Sequence, residues 1–310
     1  MLTMNALKTI EFFNKIDITK GIKGILLAPI RRVLKAYANK YIPNYLSSTP
    51  IPSSKIGRRI DEKLIVSLTS FPARINIVWI VIKTMMIQTY TPDKIILWLS
   101  EVQFPEGKGI PDILISLMGD LFEIRLVKGD IRSHKKYYYA FQEYPNDLIV
   151  TLDDDIFYPQ NLLEGIIECH KKNPNAVICN YGLYVTQSEE GLLLPYNKWK
   201  RNKSFSSKNF FFGSGGGTLF KPSKLYKDVT NIELARKLTP TADDVWLNAM
   251  VRLANLPLIV RSNNHVLSFT IENNERLCDS NVGFSQNDVQ INAVTDYYLN
   301  KIGINPFLKQ

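Results

Sequence analysis

The chain has 310 residues, of which 45% are hydrophobic and 22% charged, a balance that excludes a disordered or fibrous polypeptide and suffices for one large core or two modest ones. Its formal charge of +9 is concentrated, because residues 1 to 60 carry eleven Lys or Arg against only Glu11 and Asp17, and residues 61 to 310 sum to zero. A nucleic-acid-binding fold carries its basic patch on the folded body, so nucleic acid is not expected as a partner here. Cys169, Cys179 and Cys278 are odd in number and lack CxxC spacing, and His170 beside Cys169 is too little for a zinc site, so reduced thiols are expected. The longest apolar run, Ile75 to Ile87, is broken by Asn76 and Lys83 and is too short to span a bilayer, and the N-terminus lacks a cleavage pattern. A cytoplasmic protein without a spanning segment is the expectation.

In chain order, residues 21 to 42 place Ile22, Leu26, Ile30, Leu34 and the neighbouring Val33, Tyr37 and Tyr41 at helical spacing, with Arg31, Arg32 and Lys35 largely on the other side. Two readings are open for this basic helix: it lies in the headgroup region of an anionic membrane, or it packs on the domain or a partner. Pro29 is expected to bend or divide it. Residues 43 to 54, with Pro43, Pro50, Pro52 and four serines, read as a linker, so that residues 1–60 form an arm and residues 61–310 the folded domain.

From Lys63 short β-rich runs alternate with helical stretches. Strands are expected at 64–69, 94–99, 123–128, 148–152 and 176–180, with helices at 75–88, 111–118, 135–143 and 161–172 between them. This order indicates βαβ units and a mostly parallel sheet flanked by helices. Ligands of such sheets bind beyond the carboxyl ends of the strands, so the residues after each strand are the candidates for chemistry.

After LIVTL (148–152) come Asp153, Asp154 and Asp155. Three adjacent carboxylates repel one another unless cations stand between them. The motif is either a solvated, helix-capping turn or a site for a hard divalent cation, Mn²⁺ or Mg²⁺, and its place behind a buried-type strand favours the cation. A second acidic pair, Asp243-Asp244, opens an apolar-periodic run through Leu247, Met250 and Val251; capping of that helix and a catalytic role are both open. Between them runs Phe210-Phe211-Phe212-Gly213-Ser214-Gly215-Gly216-Gly217, either a flexible hairpin or a close backbone approach to a ligand, and not a P-loop, since no GK[ST] follows.

A strand ending in DDD after a GD…KK helix resembles the DxD region of GT-A-fold glycosyltransferases, particularly bacterial enzymes of polysaccharide assembly, and the match of element order covers roughly Lys63 to Ile302. The resemblance implies that the aspartates hold a divalent ion on the diphosphate of a nucleotide sugar, a UDP-sugar for preference, with Asp155 the direct ligand, Asp153 facing the donor or sharing the metal, and Asp154 on the donor. It implies Asp244 as the base that takes the acceptor's proton, Asp243 as the alternate, and inversion at the anomeric carbon. Thr69 and Arg74 would lie near base and phosphates, Asp130 near the base, Lys135 or Lys136 near the diphosphate, and Gly215 and Gly216 around the sugar. His265 is a further metal ligand by this analogy, or else a surface or packed histidine. Tyr137 to Tyr139 are expected to pack rather than stack on a ligand, and the final helix, opening at 285–288, is a candidate to close over the donor. The acceptor would be a glycan or lipid-linked oligosaccharide of surface polysaccharide (capsule) synthesis, met at the inner face of the cell membrane.

This chemistry calls for two carboxylate sites, one at each end of the displaced bond: a sugar hydroxyl needs a positioned base, and a diphosphate leaving group needs its charge neutralised. A nucleotidyltransferase making nucleotide sugars is the first rival, but it needs a Gly-rich basic loop after the first strand, and SLTSFPARI has no glycine. A non-catalytic membrane-associated binding protein of the same fold is the second.

Overall fold

The computed structural model describes residues 21–57, 60–199, 209–261, 271 and 286–308. A seven-stranded sheet runs in the order β3-β2-β1-β4-β8-β5-β9, made of β1 (Leu64–Thr69), β2 (Lys94–Ser100), β3 (Phe122–Val127), β4 (Leu148–Leu152), β5 (Val177–Cys179), β8 (Gly216–Phe220) and β9 (Leu258–Val260). Strands β6 (Gly182–Tyr184) and β7 (Phe210–Phe212) form a separate antiparallel pair. The sheet is mostly parallel, as expected; the exception is β8, antiparallel to both β4 and β5.

Both faces are covered, so the strands are nearly continuous Leu, Ile and Val, and the period of two sorts their side chains between two cores. Leu64, Val66, Leu68, Leu97 and Val150 enter one core with helices α1 (Gly21–Ser48), α2 (Val78–Met86), α3 (Asp112–Ser116) and α5 (Leu162–Lys172). Ile65, Ile96, Trp98 and Ile149 enter the other, with α4 (Lys135–Glu143), α6 (Ile232–Leu238), α7 (Asp243–Leu253) and α8 (Gln286–Ile302). In α4 the inward stripe is Tyr137, Ala140 and Phe141, spaced i, i+3, i+4. Trp246 in α7 is fully buried and its indole N–H donates to the Val229 carbonyl at 3.0 Å, which removes the cost of burying that polar group. Each such large apolar side chain stabilises the fold by about 1.5–3 kcal/mol.

Two expectations are corrected here. Residues 43 to 48 are helix, not linker: α1 runs through both Pro29 and Pro43 to Ser48. The reason is packing, since Ala38, Ile42 and Leu46 are fully buried in the first core, and that burial offsets the roughly 3 kcal/mol a proline costs inside a helix. The Gly-rich bend is not a hairpin, because β7 pairs with β6 and β8 belongs to the large sheet. Strands β1 and β4 and helix α4 have the expected bounds; α2 and α3 are shorter at both ends than their periodic patterns.

Helix α1 divides along its length. Its later half packs on the domain, while Ile22, Ile25, Leu26 and Val33 in the earlier half are 78%, 74%, 69% and 69% exposed. No helix among the described residues is long and apolar enough to cross a membrane. Cys169 and Cys179 are free thiols, and Cys278 lies outside the described residues.

Candidate active site

The chain winds β1, β2, β3 outward to one side and returns to place β4 on the other side of β1. The strand order therefore reverses between β1 and β4, and the crevice at their carboxyl ends is where a sheet of this kind takes a ligand. There, Thr69 to Arg74 leave β1 and Asp153 to Asp155 leave β4, beside a register shift between Thr151 and Leu152 that bends the strand end.

A cavity of about 390 Å³ opens at this crevice, and its walls include Thr69, Arg74, Asp130, Lys135, Lys136, Asp153 and Asp154. Seven residues expected from sequence to meet a donor thus converge on one cavity, which is the size of a small-ligand site. Asp155, Gly215 and Asp243 stand next to it, each tied to a wall residue as described below, and Asp244 follows Asp243; Gly216 begins β8 directly behind Gly215. His265 lies outside the described residues.

The three aspartates have different surroundings. Asp154 is buried, accepting from Ser70 Oγ at 2.6 Å and from Arg74 Nη1 at 2.8 Å. Burial holds its carboxyl above the ordinary value in spite of Arg74. Asp155 meets the same Arg74 Nη1 at 3.1 Å. Asp153 is the most open, with 39% of its side chain exposed, and its Oδ1 accepts from Lys136 Nζ at 2.8 Å. Its carboxylate lies over Gly215, where an added Cβ would stand 1.9 Å from the carboxyl carbon. Only glycine at 215 leaves room for that group. The Gly215 carbonyl also accepts the Asp153 N–H at 3.1 Å and the Tyr158 hydroxyl.

The two lysines are not solvated, as lysines on a helix commonly are. Lys135 is buried and pairs with Asp130, which also accepts from Gln103 at 3.2 Å. Lys136 is buried too and reaches in two directions, to Asp153 at 2.8 Å and to Asp243 Oδ2 at 3.1 Å. It joins the two acidic motifs that lie ninety residues apart in the sequence. Burial alone would lower its pKa, but Asp153, Asp243 and Asp244 outweigh burial and hold it firmly charged.

Asp243 and Asp244 open α7, yet no side chain caps the helix there. They point instead at Ser214, whose hydroxyl donates to Asp243 Oδ2 at 2.6 Å and whose N–H donates to Asp244 Oδ1 at 2.7 Å. Burial and the neighbouring Asp243 carboxylate push Asp244 up to about 7. Burial would raise Asp243 as well, but Lys136 beside it holds it below the ordinary value. The pair is thus split into a firm carboxylate and a carboxyl that exchanges its proton near neutrality, the pattern of a general acid or base.

Helices α4 and α8 fix this arrangement. Buried His134 donates from Nε2 to the Thr239 carbonyl at 2.7 Å and accepts at Nδ1 from Tyr137 at 3.0 Å, which ties the lysines to the approach to α7. Gln290 of α8 accepts the N–H groups of Thr241 and Ala242, both at 3.1 Å. The final helix therefore braces the start of α7. Tyr137 packs in the core as expected, and Tyr139 stacks on Trp98 at 5.2 Å.

Sequence reasoning missed Ser70, Gln103, Arg132, Ser214 and Gln290. Ser70 and Ser214 lie inside motifs already singled out, TSFPAR and FGSGGG, where a hydroxyl next to the key residue was the available signal. Nothing local marks Gln103 or Gln290.

Among the described residues no three His, Cys, Asp or Glu side chains converge on one metal position. Asp153, seated over Gly215 and open to the cavity, and Asp155 offer carboxylate oxygens, which suit a hard divalent cation whose remaining ligands are phosphate and water. By donor chemistry these two carboxylates suit such an ion.

No protein-family description matches the chain, and no curated protein does. Solved structures similar to it include a mannosyltransferase from Pyrobaculum calidifontis in complex with GDP-Man and Mn²⁺, 12% identical over 80% of this chain and 66% of that one, with a TM-score of 0.43. A UDP-glucose pyrophosphorylase from Acinetobacter baumanii is 13% identical over 79% of this chain and 96% of that one, with a TM-score of 0.37. The chain spans 66% of the mannosyltransferase's length. Likenesses this loose carry no residue and no ligand across.

Proposed function

We propose that the protein is a glycosyltransferase that moves a sugar from a nucleotide-sugar donor, a UDP-sugar for preference, to a hydroxyl of a glycan or lipid-linked glycan acceptor. The observation that carries this reading is Lys136, bonded to Asp153 on the donor side and to Asp243 on the other, with Asp244 beside them titrating near neutrality. Asp244 takes the proton of the acceptor hydroxyl as that oxygen attacks the anomeric carbon from the face opposite the leaving diphosphate, so the reaction inverts. Asp130, Gln103 and Arg132 line the end of the cavity that takes the nucleoside. Arg74 keeps Asp154 and Asp155 in place. Asp153 and Asp155 would hold Mn²⁺ or Mg²⁺, which when bound would supply positive charge against the leaving diphosphate. The one-domain division, residues 61–310 as catalytic body, goes with this proposal.

The test is nucleotide release and thermal stabilisation with a panel of nucleotide sugars, with and without Mn²⁺, for wild type and Asp155→Ala. Arg74 has a second partner in Asp154, 2.8 Å away, so removing the Asp155 carboxylate does not leave the buried guanidinium unpaired. One donor giving metal-dependent release that the variant lacks is the expected result. Pyrophosphate release from a nucleoside triphosphate and a sugar phosphate assigns the chain to nucleotidyltransferases instead, and silence on every donor leaves a binding protein.

We further propose that the exposed half of α1 rests on an anionic membrane surface at the cytoplasmic face. Ile22, Ile25, Leu26 and Val33 form its apolar side, and exposed Lys23 and Arg32 stand beside them, with no acidic residue from 18 to 60. Such a helix binds by apolar burial plus attraction to acidic headgroups. The full chain should sediment with phosphatidylglycerol vesicles and not with phosphatidylcholine vesicles, and Leu26→Asp/Val33→Asp should remain in the supernatant. Equal sedimentation of variant and wild type would dismiss the idea.

A further inference from the structure

Beside the donor cavity lies a second one of about 430 Å³, walled by Arg132, Arg236, Lys237, Asp130, Glu233 and Pro240 among others. Asp130 and Arg132 belong to both walls, and Pro240 of this cavity is followed in the chain by Thr241 of the first. The two spaces therefore share a partition, and the second leads along residues 240 to 242 to the candidate base at the start of α7.

The balance of charge around this space is positive. Asp130 is already met by Lys135 and by Gln103, so its single charge is shared between Lys135 and Arg132. Arg236 and Lys237 come from the last turn of α6. None of the three cations is in an ion pair among the described residues, and neither is Glu233, the remaining acid. Cations in a last helical turn stabilise the helix dipole wherever they point. What sets this group apart is the convergence of Arg132 from a different element. Arg132 has φ of 54°, the left-handed region that non-glycine residues seldom occupy. Its N–H donates to Asp130 Oδ1 at 2.9 Å, and Gly129 just before it has φ of 70°. The loop thus holds an uncommon backbone conformation at the residue whose guanidinium stands on the partition, and such outliers persist where the surroundings impose them.

We infer that this second cavity binds an anionic group, a phosphate or a carboxylate, carried by the acceptor sugar. Only the word acceptor rests on the glycosyltransferase reading; the anion site rests on the three cations. Two guanidinium groups and an ammonium around one space suit a compact anion with several oxygens. An acceptor anchored there presents its hydroxyl along the 240–242 segment toward Asp244, while the donor fills the first cavity across the partition.

Calorimetric titration of the full chain with glucose 6-phosphate, glucuronate and glucose, at low and at high salt, tests this without turnover. At least one anionic sugar should bind about tenfold or more tightly than glucose, and weaken with salt. Arg236→Ala/Lys237→Ala should lose that preference while binding UDP and GDP as the wild type does. Preference for the phosphate arm identifies a phosphorylated acceptor, and preference for glucuronate a uronic acid. Two results would overturn the inference: anionic sugars that bind no better than glucose, or a double variant that loses nucleotide as strongly as sugar, which would assign the cations to the donor. Because nothing here depends on transfer, failure of every donor in the nucleotide-release assay strikes the proposed function and leaves this site standing.

Discussion

Asp244→Asn is expected to lose about 10²- to 10⁴-fold in turnover and at the same time to become more stable than the wild type above neutral pH. Both effects have one cause. Burial and Asp243 push the Asp244 carboxyl up to about 7, so the folded protein keeps this proton at pH values where the unfolded chain has released it. A group whose folded pKa is raised makes stability fall as pH climbs from its unfolded value, about 4, to its folded value. Asparagine carries no charge to desolvate and still accepts the Ser214 N–H that now reaches Asp244 at 2.7 Å. Urea midpoints of the two proteins should coincide near pH 4 and separate in the variant's favour as pH rises. The base must be ionised to act, so wild-type turnover should climb with pH through the same titration, and the residual rate of the variant should not. Undiminished turnover would transfer the base role to Asp243.

Lys136→Met is expected to be the most destabilising single change in the site, by about 3 kcal/mol at neutral pH. Methionine fills a similar volume, so the loss is electrostatic. Removing the ammonium leaves Asp153 and Asp243, now 2.8 Å and 3.1 Å from it, and Asp244 behind them, with no cation between them. The open side chain of Asp153 keeps the loss toward the lower end of what breaking a buried pair costs. The sign with pH follows from Asp243, whose carboxyl is held below its ordinary value with Lys136 as the leading lowering influence. That contribution is present above the unfolded carboxylate value and is lost as pH falls through the folded one. In the variant the carboxyls protonate sooner, so the gap between variant and wild type should narrow on acidification below about pH 5. Denaturant midpoints from pH 4 to 8 check this, and a gap independent of pH would mean that Lys136 acts by packing alone.

The central elements are legible in the residue pattern alone. LIVSLT, KIILWL and LIVTL are nearly all apolar because both faces of these strands are covered, and that texture is visible without coordinates. The same texture located Asp153 to Asp155 at a strand end, and the apolar period after Asp243 located the start of α7. Tertiary structure decided what these groups do to one another. Lys136 reads as a surface lysine until α4 packs under β1 and β4 and buries it between two motifs far apart in the chain. Ser214 reads as part of a flexible bend until β7 and β8 join different sheets and turn it toward Asp243 and Asp244. Pro43 reads as the end of a helix until Ile42 and Leu46 find the core. Periodicity reports which face of one element is buried. Charge pairing, and with it the proton affinity of Asp244, depends on distances of about 3 Å between elements that no local pattern encodes.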